Sequence, residues 1–197
     1  MSNNQTTIIG LTGGIASGKT AVSDILAGYG IPIVDADILA RLATADGSYG
    51  AKLIKEAFPT VVIGGVIDRA KLRRIAFSDK ANADKLDGIT HPIIIELIKT
   101  ELIRHTKEGA PKIVLVAPLL FETKLDKLCH KTIQISANQE LRIKRAQIRD
   151  GVSKSNIEAI MIRQLSDNER EKLADITLDN NGSAQDLRRQ VEQIFCS

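Results

Sequence analysis

Residues 8–20 constrain this chain more than any other stretch. Ile8-Ile9-Gly10-Leu11 reads as a buried strand, and it runs into Gly13-Gly-Ile-Ala-Ser-Gly18-Lys19-Thr20. That run matches G-x-x-x-x-G-K-S/T at every position and leads into a helical pattern over Lys19–Tyr29. Glycines and small residues, here Gly14, Ala16, Ser17 and Gly18 around Ile15, let backbone N–H groups curl around a β-phosphate. Lys19 is placed to bridge β- and γ-phosphate oxygens, Thr20 to hold Mg²⁺, and the helix start points its positive end at the same anion. The pattern implies an ATP-using phosphotransferase. A dinucleotide fingerprint fails, because Lys-Thr stands where a third glycine should pack helix on strand.

The rest of the chain continues this architecture. Short apolar runs at Thr7–Leu11, Ile31–Val34, Lys112–Ala117, Thr132–Ser136 and Ile176–Leu178 read as buried strands. Helical patterns lie between them, among them Asn138–Arg149. Ser155 with Glu158 reads as a capping box opening a helix to Gln164, and Ser183 with Asp186 as another opening the last helix to Phe195. Continuous apolar strands alternating with helices predict an α/β fold with a parallel sheet covered on both faces. Ser48–Gly109 reads as mostly helical, with His91-Pro92 as a sharp boundary and Ile94, Leu97, Ile98 and Leu102 on one face of a helix to about Lys107. Such an insertion is where a kinase of this kind builds its acceptor pocket.

Val34-Asp35-Ala36-Asp37 closes the second strand, at the edge where α/β sheets place ligands. A carboxylate there can take the proton of an attacking hydroxyl or reach Mg²⁺ through water. The competing use is that Asp35 caps a helix over Ala36–Ala43, and spacing alone does not choose between the two aspartates. Arg142, Arg145 and Arg149 fall on one helical face, which favours a phosphate clamp over a solvated surface. The run Arg69, Lys71, Arg73 and Arg74 is as compatible with plain solvation as with anion binding. Asn180-Asn181-Gly182 is a turn signal first, placed where a loop lies beside the nucleotide base.

Composition narrows the remaining classes. With 197 residues, 43% of them hydrophobic, the chain fits one domain with a real core. The net charge of +3 suits phosphate-bearing partners and is too small to argue for nucleic acid. Cys129 and Cys196 lack disulfide or zinc spacing, and His91, His105 and His130 lack metal spacing. The uncharged start Met1-Ser-Asn-Asn-Gln-Thr-Thr is unlike a signal peptide, and the longest apolar stretch, Ile113 to Phe121, is short of the roughly 20 residues a bilayer needs. The expectation is a cytoplasmic protein without a membrane partner. A guanine-nucleotide switch is a poor rival: Thr123-Lys-Leu-Asp126 and Asp179-Asn-Asn-Gly182 resemble its motifs in reversed order.

Taken together, the ordered motifs resemble the dephospho-coenzyme A kinase family, which is of the nucleoside monophosphate kinase-like type, over essentially the whole length. The matching pieces are Gly10 to Thr20, Val34-Asp-Ala-Asp37, Ile67-Asp-Arg69, Leu72-Arg73, Phe77 and His91-Pro92. Pro118-Leu-Leu-Phe-Glu122, Gln139, Arg142, Arg145, Gln164, Ala174-Asp175 and Asn180-Asn-Gly182 complete them. The resemblance implies transfer of the ATP γ-phosphoryl group to the ribose 3′-hydroxyl of dephospho-coenzyme A with Mg²⁺. It implies a core over 1–64, 110–137 and 174–197, a helical coenzyme A subdomain at 65–110 and a lid at 138–173. It points to Asp37 as base, with Lys19 and Arg145 as its catalytic companions. Arg69, His91, Pro118, Leu119 and Leu120 then contact the acceptor, Asp35 and Thr20 the metal, and Ala21, Arg142, Arg149 and Asn181 join residues 14–20 on the nucleotide. Three positions depart from the family pattern. Ala16 replaces a usual glycine and should fit if its φ is negative; Ala21 lacks a usual hydroxyl; Val116-Ala117 offers no acidic residue before Pro118.

Overall fold

A computed structural model describes residues 6–162 and 164–195, except for the side chain of Phe77. Cys196 and the N-terminal residues before Thr6 lie outside that range. The strand β1 (Thr7–Gly13) feeds α1 (Lys19–Gly28); β2 (Ile33–Asp35) feeds α2 (Ala36–Ala43) and α3 (Tyr49–Ala57). A small pair β3 (Val62–Ile63) and β4 (Val66–Ile67) precedes α4 (Arg69–Ser78) and the long α5 (Lys80–Lys107). Then come β5 (Lys112–Val116), β6 (Lys131–Ser136), α6 (Gln139–Asp150), α7 (Lys154–Met161), α8 (Asp167–Leu173), β7 (Ile176–Asp179) and α9 (Ala184–Phe195).

The main sheet has the order β2-β5-β1-β6-β7, and β1 pairs in parallel with both β5 and β6. Each of the five expected strands is present within two residues of its expected ends. Central strands buried on both faces explain why their sequences are continuously apolar: Leu11, Ile113, Val114, Leu115, Ile133 and Ile135 are fully buried. Val22 and Leu26 of α1 and Leu187, Val191 and Phe195 of α9 close this core. The capping box at Ser183 forms as expected, with Asp186 Oδ2 accepting from the Ser183 N–H at 2.9 Å.

The chain divides into two compact units: one made of the residues up to Val34 and from Arg104 onward, the other of Asp35–Ile103. The second unit thus begins ahead of residue 65. It has its own core of Ala51, Ile54, Phe58, Val61 and Ile67, against which Leu72, Ile75, Leu86 and Ile89 pack.

Two expectations about these elements need correction, and one element was not foreseen. Pro92 is not a boundary but lies inside α5. A proline there removes one helix hydrogen bond and costs roughly 3 kcal/mol. Apolar side chains on both sides of it, Ile89 before and Ile98 and Leu102 after, are packed or buried, and each contributes about 1.5–3 kcal/mol when fully buried. Continuity of the helix wins. The mostly helical stretch also contains the β3–β4 hairpin, whose Gly64 (φ 57°) and Gly65 (φ 82°) give the double positive-φ turn that suits tight hairpins. Finally, α7 is capped by Ser153, whose side chain accepts from the Asn156 N–H, so Ser155 is inside the first turn and the helix ends at Met161.

Candidate active site

The phosphate loop is the turn between β1 and α1. Gly18 is the N-cap of α1 with φ 111°, a left-handed conformation, and a Cβ there would come within 2.1 Å of Asn180 Nδ2. Only glycine fits. No side chain caps α1, so its first N–H groups remain available for an anion. Lys19 Nζ donates to the carbonyls of Gly13 (2.7 Å) and Gly14 (3.2 Å), arching over the loop from its own helix. Thr20 and Ala21 are exposed at the helix start.

Ala16 has φ 56°, so the condition under which an alanine fits without strain is not met. A left-handed alanine costs roughly 1–2 kcal/mol. Its side chain and that of Ile15 pack against Ile143, Ala146 and Ile157 of α6 and α7, and that packing holds the strained conformation.

The arginine face of α6 is graded in burial, not a uniform clamp. Arg142 is 4% exposed; its Nε donates to the Ile15 carbonyl at 3.0 Å and its Nη1 to Asp167 Oδ2 at 2.5 Å. Burial pushes its pKa down, and Asp167 opposes that shift. Arg142 therefore braces the loop from the side, and a Cβ on Gly14 would strike its Nη2 at 2.2 Å. Arg149 is exposed and paired with Asp150 at 2.7 Å, which raises the arginine pKa through that hydrogen bond. It stands apart from Arg142 in both burial and bonding. Arg145, between them, is half-buried, and its Nη1 is a buried donor with no hydrogen-bond partner among the described residues. A buried donor of this kind costs free energy until an acceptor reaches it.

Asn181, exposed after β7, ties two elements together. Its Oδ1 accepts from the Asn138 N–H at 2.7 Å, and its Nδ2 donates to Asp179 at 3.0 Å. The neighbouring Asn180, read in the sequence as part of a turn beside the nucleotide base, is buried and donates to the Ser17 carbonyl at 2.7 Å beneath the loop. The signal was the Asn-Asn pair after the last strand, which placed the loop and not the bond to Ser17.

At the end of β5, Pro118 is half-buried and Leu119 is 40% exposed. Leu120 is fully buried, its δ-carbons under Gly10, so its side chain has no surface for an acceptor. Glu122 Oε1 accepts from the Leu165 N–H at 2.9 Å. Cys129 sits in the same packing, its thiol pushed up to about 12 by burial, which makes it an inert packing group.

In the second unit, Asp35 caps α2. Its Oδ1 accepts from the N–H groups of Asp37 (2.8 Å) and Ile38 (3.1 Å). That uses one oxygen of Asp35 locally and leaves Asp37, exposed in the first turn of α2, as the other member of the pair. Arg69 is exposed at the start of α4 and donates to the Thr44 carbonyl at 2.8 Å. His91 is exposed on α5, with Asp87 at 3.6 Å. Among the described residues, no three His, Cys, Asp or Glu side chains gather as a metal site, and no helix is long and apolar enough to cross a membrane.

Comparison with known proteins shows the family and the fold. The family model for dephospho-CoA kinase matches residues 7–186. A dephospho-CoA kinase of Arabidopsis thaliana is 39% identical over 95% of this chain and 82% of its own length. A crystal structure from Thermus thermophilus superposes with a TM-score of 0.88 at 34% identity, covering 98% of this chain and 97% of the other. A dephospho-CoA kinase structure from Campylobacter jejuni gives a TM-score of 0.74 at 26% identity, covering 97% and 96%.

Proposed function

The chain belongs to the dephospho-coenzyme A kinase family and uses ATP to phosphorylate the ribose 3′-hydroxyl of dephospho-coenzyme A, and we propose that Lys19, Asp37 and Arg145 carry the transfer. The observation behind the nucleotide half is the loop itself, with an uncapped helix start and a lysine arched over it. Loop N–H groups between Gly14 and Thr20 hold the phosphates, apart from that of Ile15, which is bonded to Gln164, and that of Ser17, which is bonded to the Gly14 carbonyl; Lys19 neutralises charge shared by the β- and γ-phosphates. Asp37 takes the proton as the 3′-oxygen bonds to the γ-phosphorus and the bond to the β-phosphate oxygen breaks, releasing ADP. Asp35 is held as the cap of α2, which is why the base role falls to Asp37. Arg145 offers its unpartnered Nη1 to the transferring group.

Mg²⁺ keeps several waters and takes substrate phosphates as ligands, so it would need only one or two donors from the protein. Thr20 Oγ1 and the second oxygen of Asp35 are its proposed protein-side donors, and the ion would supply charge neutralisation on the phosphates. The exposed Arg69 and His91 make the helical stretch 65–110 the proposed acceptor-binding part, together with Pro118 and Leu119, and 138–173 the lid; the reaction is placed in the cytoplasm. A coupled ADP-release assay tests the substrate. Dephospho-coenzyme A should drive release, while adenosine, AMP and shikimate should not. An equal rate with any of those three overturns the acceptor assignment.

A further inference from the structure

Ile15 stands at the crest of the phosphate loop, and both of its backbone polar groups are held by side chains from far along the chain. Its N–H donates to Gln164 Oε1 at 2.9 Å; its carbonyl accepts from Arg142 Nε at 3.0 Å. Arg142 is in turn held by Asp167 Oδ2 at 2.5 Å, and the other oxygen of Asp167 accepts from Arg170 Nη2 at 2.5 Å. Arg142 and Arg170 are 4% and 1% exposed, so one aspartate is shared between two desolvated guanidiniums. An apolar isostere would serve stability as well or better than such an arrangement. What the charged set supplies is a fixed direction for the Arg142 fork, and the fork ends on the peptide next to the strained Ala16.

We propose that Asp167 and Gln164 are positioning residues for phosphoryl transfer: acting through Arg142 and directly, they fix the Ile15 peptide and so set the loop crest and the register of Arg145. The proposal rests on the reading above, in which this loop holds the ATP phosphates. Arg145 lies one helical turn beyond Arg142 on the same face of α6, so whatever seats Arg142 seats Arg145. The side chains of Ile15 and Ala16 pack on Ile143, Ala146 and Ile157, so α6, α7 and the loop crest form one block. Neither Asp167 nor Gln164 need touch a reacting atom for this to hold.

The test compares wild type, Asp167→Asn, Gln164→Met and Gln164→Glu in three measurements. These are calorimetric affinity for ADP and a non-hydrolysable ATP analogue, kcat with both KM values, and thermal melting. Misplacing a catalytic array by about 1 Å costs roughly 10²-fold, so Asp167→Asn and Gln164→Met should lose about that factor between nucleotide affinity and kcat. KM for dephospho-coenzyme A should stay near wild type. Gln164→Glu keeps an acceptor oxygen for the Ile15 N–H and should restore both quantities. Asp167→Asn leaves two buried guanidiniums short of charge; if it does not fold, the Gln164 pair decides, since Gln164→Met buries no new charge. Variants that melt lower yet bind nucleotide and turn over like wild type overturn the proposal and leave the triad as packing. If wild type itself fails to use dephospho-coenzyme A, the functional reading falls, while the calorimetric comparison still decides this one.

Discussion

At Ile15 both backbone polar groups are bonded to side chains from residues 142 and 164, and the adjacent side chains are packed in an apolar cluster. At Arg69 and His91 the polar side chains stand exposed, Arg69 bonded to the Thr44 carbonyl and His91 near Asp87 of its own unit. The nucleotide end is therefore built during folding, and its cost is carried by the core. The proposed acceptor end has its polar groups on helix surfaces, where a bound substrate would have to supply the ordering energy. A triphosphate needs a rigid cradle of N–H groups for charge that develops in one place. A long, flexible acceptor can be recognised by adaptable groups.

Two substitutions set the scale of that contrast. Lys19→Ala, on the prebuilt side, should lower kcat by about 10³–10⁵-fold, the range for losing a cation on the transferring phosphate. Its circular dichroism should stay native, because the hydrogen bonds that Nζ donates to the Gly13 and Gly14 carbonyls are local and each contributes only about 0.5–1.5 kcal/mol. Near-wild-type turnover in the folded protein would remove the phosphate-loop assignment. Asp37→Asn, in the helical unit, should cost about 10²–10⁴-fold in kcat, with little change in either KM. If Asp35→Asn carries the large loss instead, with the melting unchanged, the cap and base roles are exchanged.

How much of this was legible follows the same divide. The strands, the loop and α1 could be read because apolar runs and glycine spacing are local signals. The cap role of Asp35 was left open by the sequence because a cap and a base demand the same residue type; the bonds to the N–H groups of Asp37 and Ile38 decide it. The bracing role of Arg142 was not legible, since a helical face shows which residues align and not which end is buried. Gln164 and Asp167 could not be connected to Ile15, as nothing local ties residues so far apart. The Gly64-Gly65 hairpin was legible and passed over, because helical periodicity on either side dominated.

Pro92 probes the adaptable side. Pro92→Ala restores an N–H within α5 and should stabilise the protein by about 1–3 kcal/mol, read by chemical denaturation. If the proline serves to seat His91 for the acceptor, KM for dephospho-coenzyme A should rise while KM for ATP does not. A stabilised enzyme with both KM values unchanged would show that the helical unit carries its proline for no catalytic reason, which weakens the contrast drawn here.

The smallest expected effect lies on the rigid side. Ala16→Gly removes a left-handed alanine, a relief of roughly 1–2 kcal/mol. Against this, the glycine gives back about 0.4–1 kcal/mol of unfolded-state entropy. It also deletes a methyl packed on Ile143, Ala146 and Ile157, worth at most about 0.8 kcal/mol since Ala16 is only partly buried. The three effects nearly cancel, so the unfolding free energy should move by no more than about 0.5 kcal/mol. Stabilisation beyond about 1.5 kcal/mol would mean that the methyl adds little and the strain stands uncompensated. Destabilisation of that size would mean that α6 and α7 rely on the methyl far more than its area suggests. In the near-neutral case the loop crest holds a strained residue because the cluster around it makes the strain free of net cost. The same variant should then loosen the loop, and its nucleotide affinity should fall although its stability does not.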